Sequence, residues 1–200
     1  MRFNGRLPHA PLCPCCEQER QAEPLLSRRS ALRGALGLGL ACAAVTPVFA
    51  QDGAPRRLRA ERVGTEDSFD GIYWRDGAYD RDALRQLDWV FRDLSRAEVT
   101  PMDPRLFDVL HTVAQRLEST ESYQVISGYR SPETNAANAA RSRRVSTVSL
   151  HMSGMACDSR LPGRDAYGFA RQAAQMQLGG VGLYRRDSFV HLDCGPVRRW

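Results

Sequence analysis

The sequence predicts an α+β domain with a small, mostly antiparallel sheet and flanking helices. Three observations carry that prediction. Two amphipathic helical stretches come first, within residues 80–117. Short strand-like runs then alternate with two further helical stretches. The last two runs are close enough in sequence to pair as a hairpin.

In chain order, residues 51–70 are polar and rich in arginine, and read as a flexible or extended lead-in. Gly71-Ile72-Tyr73-Trp74 reads as a short strand, ended by Asp76-Gly77. In the first helix, Leu84, Leu87, Val90, Phe91 and Leu94 share a face, and Asp80 caps the start. In the second, Leu106, Leu110, Val113 and Leu117 recur at steps of three and four. Asp103-Pro104 marks its start, because proline at the first helical position loses no hydrogen bond. Both helices are scaffold. Tyr123 to Ser127 reads as a strand, and Ser131-Pro132 opens an alanine-rich helix to about Ala140. Residues 141–147 form a basic loop with Arg141, Arg143 and Arg144. Residues 154–161 read as a strand carrying Asp158. A helix over 165–177 places Phe169, Ala173 and Met176 on one face, with Gly179-Gly180 to stop it. Residues 181–184 and 189–193 pair across a turn at 185–188.

Residues 1–50 read as an N-terminal extension plus a twin-arginine-type signal. Arg28-Arg29 precedes a weakly apolar run, residues 34–45, that is shorter than the roughly 20 apolar residues of a membrane span. Val48-Phe49-Ala50 offers small residues where a signal peptidase reads, so cleavage falls before Gln51. This pattern implies an exported, periplasmic protein with no stable membrane span after cleavage. Cys13-Pro14-Cys15-Cys16 holds a C-x-x-C spacing with no second pair nearby, and reads as part of the removed segment.

All 28 basic residues are arginine, and the net charge is +5. Six of those arginines and three of the 23 acidic residues lie in 1–50, which leaves a net charge of +2 beyond it. Nothing in that balance argues for nucleic acid as a partner. Cys157 and Cys194 remain after cleavage. A disulfide between them is one expectation if their strands are neighbours, since both point away from the polar face described next.

The chemistry concentrates in two clusters. In Ser149-Leu150-His151-Met152-Ser153-Gly154-Met155-Ala156-Cys157-Asp158, a turn at Ser153-Gly154 lets His151 and Asp158 converge from two sides of a corner. In Phe189-Val190-His191-Leu192-Asp193, strand alternation puts His191 and Asp193 on one side and Val190 and Leu192 on the core side. His151, Asp158 and His191 make a three-ligand set, and zinc in hydrolases keeps three protein ligands and a water. Asp193 is the nearest candidate for the base that takes the water's proton, with Asp187 on the hairpin turn second. Arg130, between a strand and a helix, is placed to steady an oxyanion or a carboxylate, or to pair with Asp158 or Glu133. His111, beside the apolar face of the second helix, is structural.

At these residues a family resemblance emerges. Ser-Gly-Tyr-Arg-Ser-Pro, Ser-x-His-x-x-Gly-x-Ala-x-Asp, Gly-Gly-Val-Gly-x-Tyr and Phe-Val-His-x-Asp-x-Gly-Pro-Val-Arg-x-Trp resemble the murein endopeptidase K family, over about residues 73–200. More distantly the chain is similar to the zinc fold of D-Ala-D-Ala carboxypeptidases, lysostaphin-type endopeptidases and the hedgehog signalling domain. The resemblance implies a zinc peptidase domain at 71–200, with Zn2+ on His151, Asp158 and His191. It implies peptidoglycan as substrate, at cross-links between stem peptides, including those joining two diaminopimelate residues. Arg130 matches the family arginine. The wider fold often carries its catalytic acid or histidine two or three residues before the last ligand, where this chain has Phe189 and Ser188. Three readings stand: a murein endopeptidase, a zinc-stabilised wall-binding module without hydrolysis, and a D,D- or L,D-carboxypeptidase.

Overall fold

In the computed structural model, residues 53–142 and 145–200 are described. The leader readings, Cys13 to Cys16 included, and Arg143 and Arg144 of the basic loop lie outside them. Eight strands form one sheet: β1 (Arg56–Arg62), β2 (Ser68–Arg75), β3 (Ala78–Tyr79), β4 (Tyr123–Ser127), β5 (Ala156–Arg160), β6 (Gly180–Tyr184), β7 (Phe189–Asp193) and β8 (Arg198–Arg199). The four helices are α1 (Arg81–Val90), α2 (Pro104–Arg116), α3 (Pro132–Arg141) and α4 (Ala166–Met176). The strand order is β3-β2-β1-β4-β5-β7-β6-β8.

The α+β class holds, but the sheet is larger than expected and mixed. β1 runs parallel to β4, and β6 parallel to β8. The main cause is β1, which forms inside the segment read as a lead-in. In Arg-Arg-Leu-Arg-Ala-Glu-Arg only Leu58 and Ala60 are apolar, and both are buried, as is Arg62 two positions on. That alternation is a strand signal masked by charge on the other face. Joining β4 through the α1–α2 crossover makes the pair parallel.

The helix starts follow from their caps. Asp80 accepts from the backbone N–H groups of Asp82 and Ala83, and Asp103 from that of Arg105, ahead of Pro104. α1 ends at Val90, so Leu94 falls beyond the helix and is exposed. α4 is ended by Gln177 in the left-handed region rather than by the glycines that follow. α1 packs on β1 and β2, α2 on β1 and β7, and α4 on β6 and β7. The core between them includes Leu87, Phe107, Leu110 and Phe169 against Tyr73, Val125, Val190 and Leu192. β7 therefore turns Val190 and Leu192 into the core, which leaves His191 and Asp193 on the opposite face.

One buried acid ties the β1–β3 edge to α2. Asp108 accepts from Arg56 Nη1 at 2.7 Å, Tyr73 Oη at 2.9 Å and Tyr79 Oη at 2.6 Å. His111, one turn on, takes the structural place expected: its Nδ1 is 2.8 Å from the Arg57 carbonyl. Asp108→Ala leaves a largely buried guanidinium and two phenols without their acceptor. The expected cost is about 3–5 kcal/mol, or a fall of about 10 °C in Tm by calorimetry. A loss within experimental error would show that the network does not hold the edge.

Candidate metal centre

The centre grows from a corner and a ladder. Ser149 Oγ accepts from the His151 N–H and opens a short 3-10 turn, Leu150–Ser153. Gly154 follows at φ 66°, a left-handed conformation that suits glycine and reverses the chain into β5. β5 then pairs with β7 so that Asp158 lies directly opposite His191. Direct antiparallel partners point to the same face. The corner thus brings His151 over a pair that the sheet itself has registered.

All three side chains are buried, and their donor atoms meet. His151 Nε2 is 3.2 Å from His191 Nδ1, His191 Nδ1 is 2.9 Å from Asp158 Oδ1, and His151 Nε2 is 3.3 Å from the same oxygen. Backbone and side-chain acceptors behind the rings set which nitrogen faces inward. His151 Nδ1 donates to the Gly128 carbonyl at 2.7 Å, which leaves Nε2 its lone pair. His191 Nε2 donates to Asp193 Oδ2 at 3.0 Å, which turns Nδ1 inward. Burial opposes charge on His191, but its hydrogen bonds to Asp158 and Asp193, and their charges, outweigh it and raise its pKa. Burial likewise opposes ionisation of Asp158, yet the two histidines hold its carboxyl well below the usual range. Two lone pairs and a carboxylate aimed at one point call for a cation between them.

The spacing fits a tetrahedral metal. Zinc bonds of about 2.0–2.1 Å to N and O require donor separations of about 3.3 Å. The separations here are 2.9 to 3.3 Å. Among the described residues these three are the group able to hold a metal ion. They open on a cleft of about 740 Å³ lined also by Arg130, Asp187, Phe189 and Trp200. Arg130 Nη2 stands 3.5 Å from Asp158 Oδ2. The guanidinium also donates to Asn135 Oδ1 and Ser127 Oγ, each at 3.2 Å.

Asp193 sits beside His191 as expected, but not where a base for water would stand. Its side chain is 0% exposed and lies behind the imidazole, on the ring nitrogen facing away from the cluster. It also accepts from Gly180 N, Gly195 N and, at both oxygens, Arg198. Burial opposes its ionisation, and the bonds from His191 and from the Gly180 and Gly195 amides lower its pKa all the same. A carboxylate so engaged suits the orientation of a histidine, and Asp193 is not among the residues that line the cleft. Asp187, by contrast, is exposed on the β6–β7 turn and lines the cleft. Cys157 and Cys194 are both free: Cys157 lies opposite Leu192 in the ladder and is buried in the core, out of step with Cys194. Sequence reasoning gave no role to Arg198, Asn135, Ser127 or the Gly128 carbonyl. Arg198 had a signal in Gly-Pro-Val-Arg-x-Trp; the Gly128 carbonyl, being backbone, had none.

Fold and site define an α+β protein with a candidate metal centre open to a cleft. Comparison with known proteins then places it. A family described as peptidoglycan L,D-endopeptidase MepK matches residues 50–200, and the chain belongs to that family. It is 37% identical over 169 residues to the peptidoglycan L,D-endopeptidase MepK of Escherichia coli K12, covering 84% of this chain and 92% of that one. It is 34% identical over 147 residues to the probable peptidoglycan L,D-endopeptidase MepK of Haemophilus influenzae, covering 73% and 79%. No solved structure matches the chain at a significant level.

If Asp193 positions His191, Asp193→Ala weakens Zn2+ binding by about 10- to 100-fold, measured by competition with a chromophoric chelator. Unchanged affinity in a folded variant would refute that role.

Proposed function

We propose that this protein is an exported, zinc-dependent peptidase that cleaves peptide cross-links of peptidoglycan, in remodelling or degradation of the cell wall. The observation that carries the reading is the convergence of His151 Nε2, Asp158 Oδ1 and His191 Nδ1 within 3.3 Å of one another at the cleft. Two imidazoles, one carboxylate and an open side suit a catalytic zinc better than a closed structural site. The relatives' names, peptidoglycan L,D-endopeptidases, support an L,D peptide bond as the one cut. Export rests on the leader-like residues 1–50 with Arg28-Arg29, which favour the twin-arginine route. No helix among the described residues is long and apolar enough to cross a membrane.

His151, Asp158 and His191 hold the metal, and Asp193 and the Gly128 carbonyl fix the two rings from behind. The zinc ion, when bound, supplies a Lewis acid that polarises the peptide carbonyl and makes water more acidic. Asp187 accepts a proton from the attacking water and returns it to the nitrogen that departs as the C–N bond breaks; it is the acidic side chain on the cleft wall apart from Asp158. Arg160 steadies that turn by donating to the carbonyls of Asp187 and Ser188, at 2.9 and 3.1 Å. Arg130, anchored by Asn135 and Ser127, stabilises the negative charge that develops on the carbonyl oxygen.

The test uses the purified protein and isolated sacculi, with and without a chelator, and identifies soluble products by mass. Chelator-sensitive release of uncrosslinked muropeptides is the expected result. Release of single amino acids would make the protein a carboxypeptidase, and binding without any release would make it a wall-binding module. Asp187→Asn keeps its zinc and loses turnover by about 10²- to 10⁴-fold, while His151→Ala loses both. Full turnover in the Asp187 variant would place the base elsewhere.

A further inference from the structure

The cleft has one wall whose position nothing in the metal centre explains. Trp200 lines it, and the indole centroid lies 5.2 Å from that of the His191 ring. The ring is held from three sides. The Trp200 N–H donates to the Val181 carbonyl, and its own carbonyl accepts from the Leu183 N–H, so the residue is laddered to β6 on both sides of Gly182. Gly182 is the direct cross-strand partner of His191. Partners of that kind share a face, so the missing side chain at 182 leaves a slot beside the imidazole, and the indole fills it. A Cβ built on Gly182 would lie 2.5 Å from Trp200 Cε2 and 2.7 Å from Cζ2. The guanidinium of Arg198 sits over the same ring, 5.2 Å from its centroid.

An aromatic ring so fixed would ordinarily be buried, yet Trp200 is 53% exposed. It also lines a second groove, of about 470 Å³, along α4. Trp200 therefore borders both the cleft and that groove, half exposed beside the candidate centre. Val145, Val148, Leu150 and Met152 line the same cleft. A chain entering the cleft meets apolar surface as well as the donor cluster.

We propose that Trp200, seated by Gly182, is a substrate-contacting residue of this cleft. Its indole takes the peptide plane or the aliphatic side chain of the residue next to the bond that is cut. The proposal rests on the peptidase reading and deepens it: the ring binds and orients substrate and does not support the metal.

The experiment compares wild type with Trp200→Ala, Trp200→Phe and Gly182→Ala, each checked for folding and for Zn2+ affinity, on soluble cross-linked muropeptides. Trp200→Ala raises KM by about tenfold or more and leaves kcat within about threefold, the signature of lost binding contact. Trp200→Phe recovers most of the loss, and Gly182→Ala, which displaces the ring without deleting it, reproduces it. Unchanged KM in folded Trp200→Ala overturns the proposal. So does a parallel fall in Zn2+ affinity, which would make the indole a prop for His191. If wild type releases no fragments, the peptidase reading fails on its own, and the ring is scored by co-sedimentation with sacculi. There, retention lost in Trp200→Ala upholds the contact, and equal retention overturns it.

Discussion

The pairing of Asp158 with His191 across β5 and β7 is the constraint on which the rest of the structure depends. It is set by the core, because Val190 and Leu192 must point inward and the ladder register must follow them. A slip of one residue would carry the His191 imidazole into the apolar core and Leu192 into the cleft. Hydrophobic burial on one face of β7 thus specifies polar geometry on the other. The corner at Gly154 adds His151 to a pair already in place, so three donors from two chain segments meet without a long flexible connection.

Such a cluster is costly when nothing binds between its members. Burial disfavours a charged Asp158 and a charged His191, and two imidazole nitrogens face each other at 3.2 Å. The surroundings nevertheless hold the arrangement. The Gly128 carbonyl fixes one ring, and Asp193, clamped by Arg198 and two backbone amides, fixes the other. Work of this kind, spent on orientation behind the rings rather than on their stability, is what a preorganised metal site requires. It also takes Asp193 out of the cleft, because its carboxylate is engaged by His191, Arg198 and two backbone amides, whereas Asp187 is exposed on the β6–β7 turn and lines the cleft.

Much of this was legible in the sequence. The caps at Asp80 and Asp103, the strand over 123–127, the hairpin after Gly180 and the convergence of His151, Asp158 and His191 all follow from local pattern. β1 was not, because its charged face hides a two-residue apolar alternation. β3 and β8 have two residues each and exist only because a neighbour offers a ladder. Alternation placed Asp193 on the side of His191, but it does not tell whether a carboxylate meets the inner or the outer ring nitrogen. That distinction lives in side-chain geometry fixed by Arg198, five residues on. The free cysteines make the same point: neighbouring strands do not suffice for a bridge when the ladder pairs Cys157 with Leu192.

The most direct test of the centre is X-ray absorption at the zinc edge, on purified protein loaded with one equivalent of zinc. Two imidazole nitrogens and oxygen ligands at about 2.0–2.1 Å, with no sulfur near about 2.3 Å, are the result this structure requires. A sulfur ligand, from Cys157 or Cys194, or failure to take up zinc stoichiometrically, would contradict it.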